Sequence, residues 1–122
     1  MLKTKLKTII NAREAAQRLA GQALPAAVSF RVAKLINALN GELVTYEAER
    51  VKLCERYGEL DKENGVYKIR QREEFDREYA SLLDMSIELA VDKVSLPDTL
   101  NITAVDLINL SDFIQIEGEA DV

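Results

Sequence analysis

Histidine is absent from this 122-residue chain, and no other absence removes more chemistry. Without an imidazole there is no Ser-His or Cys-His nucleophile, no general base poised near neutral pH and no usual zinc site. Cysteine occurs once, at Cys54, so no internal disulfide can form, in keeping with a reducing compartment. Gly21, Gly41, Gly58, Gly65 and Gly118 stand apart, and none opens a glycine-rich phosphate loop. No run approaches the roughly 18 uninterrupted apolar residues of a membrane span. Lys3, Lys5 and Lys7 punctuate the N-terminus where a secretory signal would carry its apolar core. These absences lead us to expect a cytoplasmic protein with no enzymatic activity, no cofactor, no metal and no membrane partner.

What remains is an ordinary soluble composition, 48% hydrophobic and 30% charged, enough for one domain with one core and too little for two. The net charge of -5 conceals an asymmetry. Residues 1–36 hold seven Lys/Arg against Glu14 alone, a net of +6, which leaves -11 for the rest. From Asp98 onward there are six acidic residues and no basic one. A solvated surface whose ends attract each other is the plain reading, and overall acidity argues against extended nucleic-acid binding.

The stretch from Pro25 to Tyr57 organises the chain. Val32, Ile36, Leu39, Leu43, Tyr46, Leu53 and Tyr57 recur at helical spacing, with Arg50 the one charge in the stripe. Such a helix would be about 50 Å long and needs cover from a partner helix, in this chain or another copy. Asn40-Gly41 is its weak point, yet the stripe keeps phase across it. Before it, Leu2 to Thr8 alternates with the lysines as a strand or a helical lead-in would. Asn11 with Glu14 has capping-box spacing and predicts a short helix over 12–20. Pro25 suits a helix start, which puts the long helix at 25–57.

A connection over 59–70 follows, with Asn64-Gly65 favouring a tight hairpin turn. Phe75, Tyr79, Leu82, Ser86 and Leu89 repeat the four-three rhythm, predicting a second long helix over 73–90. In the segment 91–122, alternation before Pro97 suggests a strand near 92–96, and Thr103 with Asp106 predicts a capped helix through Val105, Leu107, Ile108 and Leu110. Phe113, Ile114 and Ile116 continue as strand or helix, and an acidic tail follows. The expected fold is mainly α: a long antiparallel, coiled-coil-like helical hairpin, with a short N-terminal helix and a small β/α C-terminal segment.

Candidate chemistry is sparse. Cys54 lies beside the seam next to Glu55, which favours a packed, inert thiol. Glu73, Glu74, Asp76 and Glu78 suit a solvated helix start better than a metal site. Lys68, Arg70 and Arg72, if extended, point to one face while Tyr67 and Ile69 point to the other. That arrangement could hold phosphate or carboxylate, or could simply answer Glu59, Asp61 and Glu63 across the turn. Arg31 and Lys34, with Arg13 and Arg18 on the preceding helix, form a second candidate anion surface.

The order of a Lys-rich start leading into Ile9-Ile10-Asn11, Ala23-Leu24-Pro25 opening a long helix, Tyr57-Gly58, Glu63-Asn64-Gly65 and Ile102-Thr103-Ala104-Val105-Asp106-Leu107 resembles a family of small proteins encoded by tailed bacteriophages and prophages. The resemblance spans nearly the whole chain and rests on structural punctuation. It implies a phage or prophage context inside a bacterial host and supplies no catalytic residues.

Two functions compete. One is a non-enzymatic interaction protein that self-associates through its seam and binds a host or phage protein. The other is an oligomeric small-molecule sponge that sequesters a nucleotide immune signal in an anti-defence role, with Tyr67, Arg70 and Arg72 closing on base and phosphate.

Overall fold

In the computed structural model, which describes residues 1–117, the elements run β1 (Leu2–Lys5), α1 (Leu6–Ala20), α2 (Ala26–Tyr57), β2 (Gly58–Asp61), β3 (Val66–Ile69), α3 (Arg72–Leu83), β4 (Ser86–Leu89), β5 (Val94–Leu96), α4 (Ala104–Leu110) and β6 (Ile114–Ile116). The acidic tail expected beyond Glu117 lies outside the described residues.

α2 is uninterrupted, 32 residues long and continuous through Asn40-Gly41. Pro25 caps it and accepts from the Ser29 N–H at 2.9 Å. It ends at Gly58, where a Cβ would stand 2.5 Å from the Lys68 carbonyl oxygen, so the chain passes straight from helix into β2 only because no side chain is there.

The expected hairpin of two long helices is not formed. Helix and strand make up 56% and 19% of the described residues, and the strands pair into three separate two-stranded sheets. The stretch 73–90 divides: α3 stops at Leu83, and Ser86–Leu89 becomes β4, antiparallel to β1 with Leu2 opposite Leu89 and Lys5 opposite Ser86. The helical rhythm does run through Ser86 and Leu89. The same residues also alternate, with Ile87 and Leu89 turned inward and Ser86 and Glu88 out. The ladder to β1, more than 80 residues away in sequence, decides between the two periods, which is tertiary context overriding local pattern. Lys5 Nζ on Asp84 at 2.7 Å helps hold the junction.

α2 therefore has two short partners. α1 packs along its N-terminal half and α3 runs back beside its C-terminal half, where the Tyr46 and Tyr79 hydroxyls meet at 2.7 Å. α1 also starts six residues before the expected Ala12, leaving Asn11 inside the helix. Its apolar stripe of Leu6, Ile9, Ala12, Ala16 and Leu19 is buried, and burial of that stripe outweighs a side-chain cap. The alanines let α1 lie close against Val32, Leu35, Leu39 and Leu43.

β2 and β3 form a hairpin beyond the end of α2 with Asp61 opposite Val66, so its loop has four residues rather than two. Asp61 drives the turn: one carboxylate oxygen accepts the Glu63 N–H at 3.1 Å, the other the Asn64 amide at 2.9 Å, and Gly65 closes it at φ 68. At the C-terminal end β5 and β6 pair in parallel, with α4 between them in sequence. Thr103 Oγ1 caps α4 by accepting the Asp106 N–H at 3.1 Å. Leu96, Leu110 and Phe113 close the core from this side.

Candidate functional site

Two expected anion surfaces fare differently. In the run 67–72, Arg70 is paired with Glu59 across the hairpin at 2.9 Å, and Arg72 with Asp76 one turn on at 3.3 Å. Arg72 also lies over the Phe75 ring, Tyr67 points its hydroxyl toward Glu55 at 3.4 Å, and Lys68 stands opposite Glu59 in the ladder. Arg70 and Arg72 are answered locally and Lys68 alone of the run has no ion pair among the described residues, so three free cations are not gathered on one face.

Arg13, Arg18, Arg31 and Lys34 do not form one surface. Arg18 forks onto Asp106, Nε to Oδ2 at 2.9 Å and Nη2 to Oδ1 at 2.6 Å, tying α1 to α4. Asp106 thus serves two ends: its N–H is capped by Thr103 while its carboxylate is 9% exposed under Arg18. The Arg18 guanidinium holds the Asp106 carboxyl below the usual carboxylate range. A carboxyl depressed in the folded state contributes stability above its unfolded pKa and loses it as pH falls through the folded value. Arg18→Gln should therefore lower the melting temperature at pH 7 and differ progressively less from the parent as pH falls below about 4. An equal offset at both pH values would show that the pair is not the source.

Arg13 borders one hollow together with Glu14, Arg18 and Asn109, and a second between α1 and α2 that also contacts Tyr46 and Glu47. Arg50, the one charge in the apolar stripe, is held by Glu47 of its own helix, with its Nε 3.1 Å from the carboxylate. Its guanidinium also reaches the buried Cys54 sulfur at 3.8 Å. Burial first, then the shared hydrogen bond with Tyr79, raises the Tyr46 phenol above its ordinary pKa. This belt joins α2 to α3. Among the described residues no three Cys, Asp or Glu side chains come together as metal ligands, and no helix is long and apolar enough to cross a membrane.

Arg31 and Lys34 lie at the edge of a hollow of about 410 Å³ between α2 and the chain from Ala90 to Ser95. Lys93, on the segment that leads into β5, lines it too. Among the described residues none of the three makes an ion pair, and Asp92 is the one acid in the lining, turned toward the Met1 amino group at 2.9 Å.

The seam residues Val32, Leu39 and Leu43 are buried within the chain, joined by Leu35, while Ile36, Tyr46, Leu53 and Tyr57 are half-buried. That face of α2 is consumed by α1, α3 and β5. The opposite face is bare. Ala26, Phe30, Ala33, Asn37, Gly41, Val44 and Ala48 follow one another at four-three spacing along it. Phe30 is 65% exposed and Val44 72%. A Cβ added at Gly41 would meet nothing within 4 Å.

No family model, curated protein or solved structure matches this chain. The site rests on geometry alone. Phe30, Val44 and Lys93 are its members that sequence reading did not single out. The outer stripe was legible in the same four-three count that found the seam, half a turn away. Lys93 had no local signal, because only the fold of the β4–β5 segment brings it to α2.

Proposed function

We propose that this chain is a non-enzymatic interaction protein that pairs with a second copy of itself through the outward face of α2. In keeping with the resemblance noted above, we place it in a phage or prophage setting, in the cytoplasm of a bacterial host, where the pair binds a host or phage protein. The observation that carries self-pairing is the composition of that face. From Ala26 to Ala48 its central strip bears one charge, Lys34, while Phe30 and Val44 stand largely in water. Solvent faces of helices are ordinarily rich in charge, and contiguous exposed apolar patches mark contact surfaces.

A second copy fits because the strip is complementary to itself. With two α2 helices antiparallel and crossing level with Leu39, Phe30 of each lies opposite Ala48 of the other, Ala33 opposite Thr45 and Asn37 opposite Gly41. The large ring meets the small side chain, and the glycine admits close approach at the centre. Gly41 costs the helix about 1 kcal/mol relative to alanine, and nothing within its own chain uses the space. A strip about 33 Å long and one helix wide is smaller than a standard interface of about 800 Å² per partner, so the association should be in the micromolar range.

Cross-linking tests the register. In a Cys54→Ala background, Asn37→Cys and Gly41→Cys proteins are mixed and oxidised, and the products are weighed. Antiparallel pairing favours the mixed disulfide over either symmetrical one. A merely statistical mixture, formed no faster than with Glu59→Cys on the remote hairpin, would reject the proposed contact.

A further inference from the structure

We propose that the hollow between α2 and the β4–β5 segment is a binding site for a small phosphate-bearing ligand, held by Arg31, Lys34 and Lys93. Three cations converge on it from two elements distant in sequence, against the single carboxylate of Asp92. In the rest of the described chain such groups are mostly neutralised in place: Arg18 by Asp106, Arg50 by Glu47, Arg56 by Glu78, Arg70 by Glu59 and Arg72 by Asp76. Among the described residues no carboxylate pairs with any of these three cations, and Lys34 meets only the Phe30 ring, so in a chain whose net charge is -5 the concavity has a local reversal of sign. Such a reversal concentrates anions where the rest of the surface repels them.

The chemistry of the lining favours phosphate. Arg31 offers a planar fork that takes two oxygens at once, and Lys34 and Lys93 are point charges able to follow a second phosphoryl group. The volume, about 410 Å³, falls within the range of small-molecule pockets and exceeds what one inorganic phosphate fills. The walls are fixed by the core, since Val94 and Leu96 of β5 and Val32 and Leu35 of α2 are buried immediately behind the charged side chains. The cations therefore converge without the backbone having to reorganise. Lys34 belongs also to the outer strip of α2, its Nζ lying 5.6 Å from the centre of the Phe30 ring, so Arg31 and Lys93, which lie outside that strip, distinguish this site from self-pairing.

The test is a titration of the full chain with pyrophosphate and, separately, with ADP at constant ionic strength, followed by amide nitrogen–proton correlation spectra. Saturable shifts are expected at residues 31–34 and 90–95, with little change at Lys62, Lys68 or Arg77. Lys93→Gln and Arg31→Gln, both exposed positions, should keep the parent spectrum elsewhere and each weaken binding about tenfold. Tighter binding of ADP would assign the ligand to nucleotides, and equal affinity would assign recognition to the phosphate groups alone; either supports the site. Linear, unsaturating shifts spread over all surface cations, or unchanged affinity in both variants, would overturn it.

Discussion

Leu39→Asp should leave no folded protein at 25 °C, seen as loss of the far-ultraviolet helical signal without added denaturant. Leu39 is 1% exposed at the middle of α2, in a core it shares with Leu35, Leu43 and the α1 stripe. Removing a buried leucine side chain costs about 2–5 kcal/mol, and an unpaired carboxylate in its place adds several more. A domain of this size has about 6–18 kcal/mol in total. The position also separates two views of the apolar stripe. Were it an interface between copies, the substitution would give a folded monomer; because the stripe is covered from within the chain, the fold itself should fail. A folded, helical Leu39→Asp monomer would contradict the described packing.

Phe113→Ala should lower stability by about 3–5 kcal/mol. Phe113 is fully buried, its N–H donates to the Leu110 carbonyl at 2.8 Å and its carbonyl accepts the Val94 N–H at 2.9 Å. The ring thus sits where α4 turns into β6 and β6 meets β5. Its neighbours in the core include residues of α1 and α2, so the C-terminal segment belongs to the same cooperative unit. For a chain this long the melting temperature should fall by about 10–20 °C in a single transition. A separate early transition confined to the C-terminal segment, with the rest melting as in the parent, would show that this segment is an appendage.

How far the fold was legible follows from where its information lies. α2 was plain because a seven-membered stripe over 26 residues, Val32 to Tyr57, keeps its phase through Asn40-Gly41, and Gly58 and Pro25 mark its ends. The cap at Thr103 and the turn at Gly65 were also local, and they are present. The second long helix was not legible. Ser86 to Leu89 satisfies both periods, and only the ladder to Leu2–Lys5 selects strand. Asn11 and Glu14 offered a cap that the buried Leu6 and Ile9 made irrelevant. The anion surfaces were only partly legible, for the same reason. Arg70 and Arg72 found partners across the hairpin and one helical turn on, whereas Lys93 reached Arg31 and Lys34 only through the fold.

Two faces of one helix thus carry opposite consequences: Leu39 points into the protein and Phe30 out of it. Sedimentation equilibrium over about 1 to 100 µM, for the parent and for Phe30→Glu, tests this most directly. The parent should shift from the 13.7 kDa monomer toward twice that mass with rising concentration, and Phe30→Glu should stay at the monomer mass with the parent's helical signal and melting behaviour. A parent that remains monomeric throughout would contradict self-pairing through α2. So would a dimer that survives Phe30→Glu and is broken instead by Ile108→Glu on α4, where Val105 and Ile108 are also exposed.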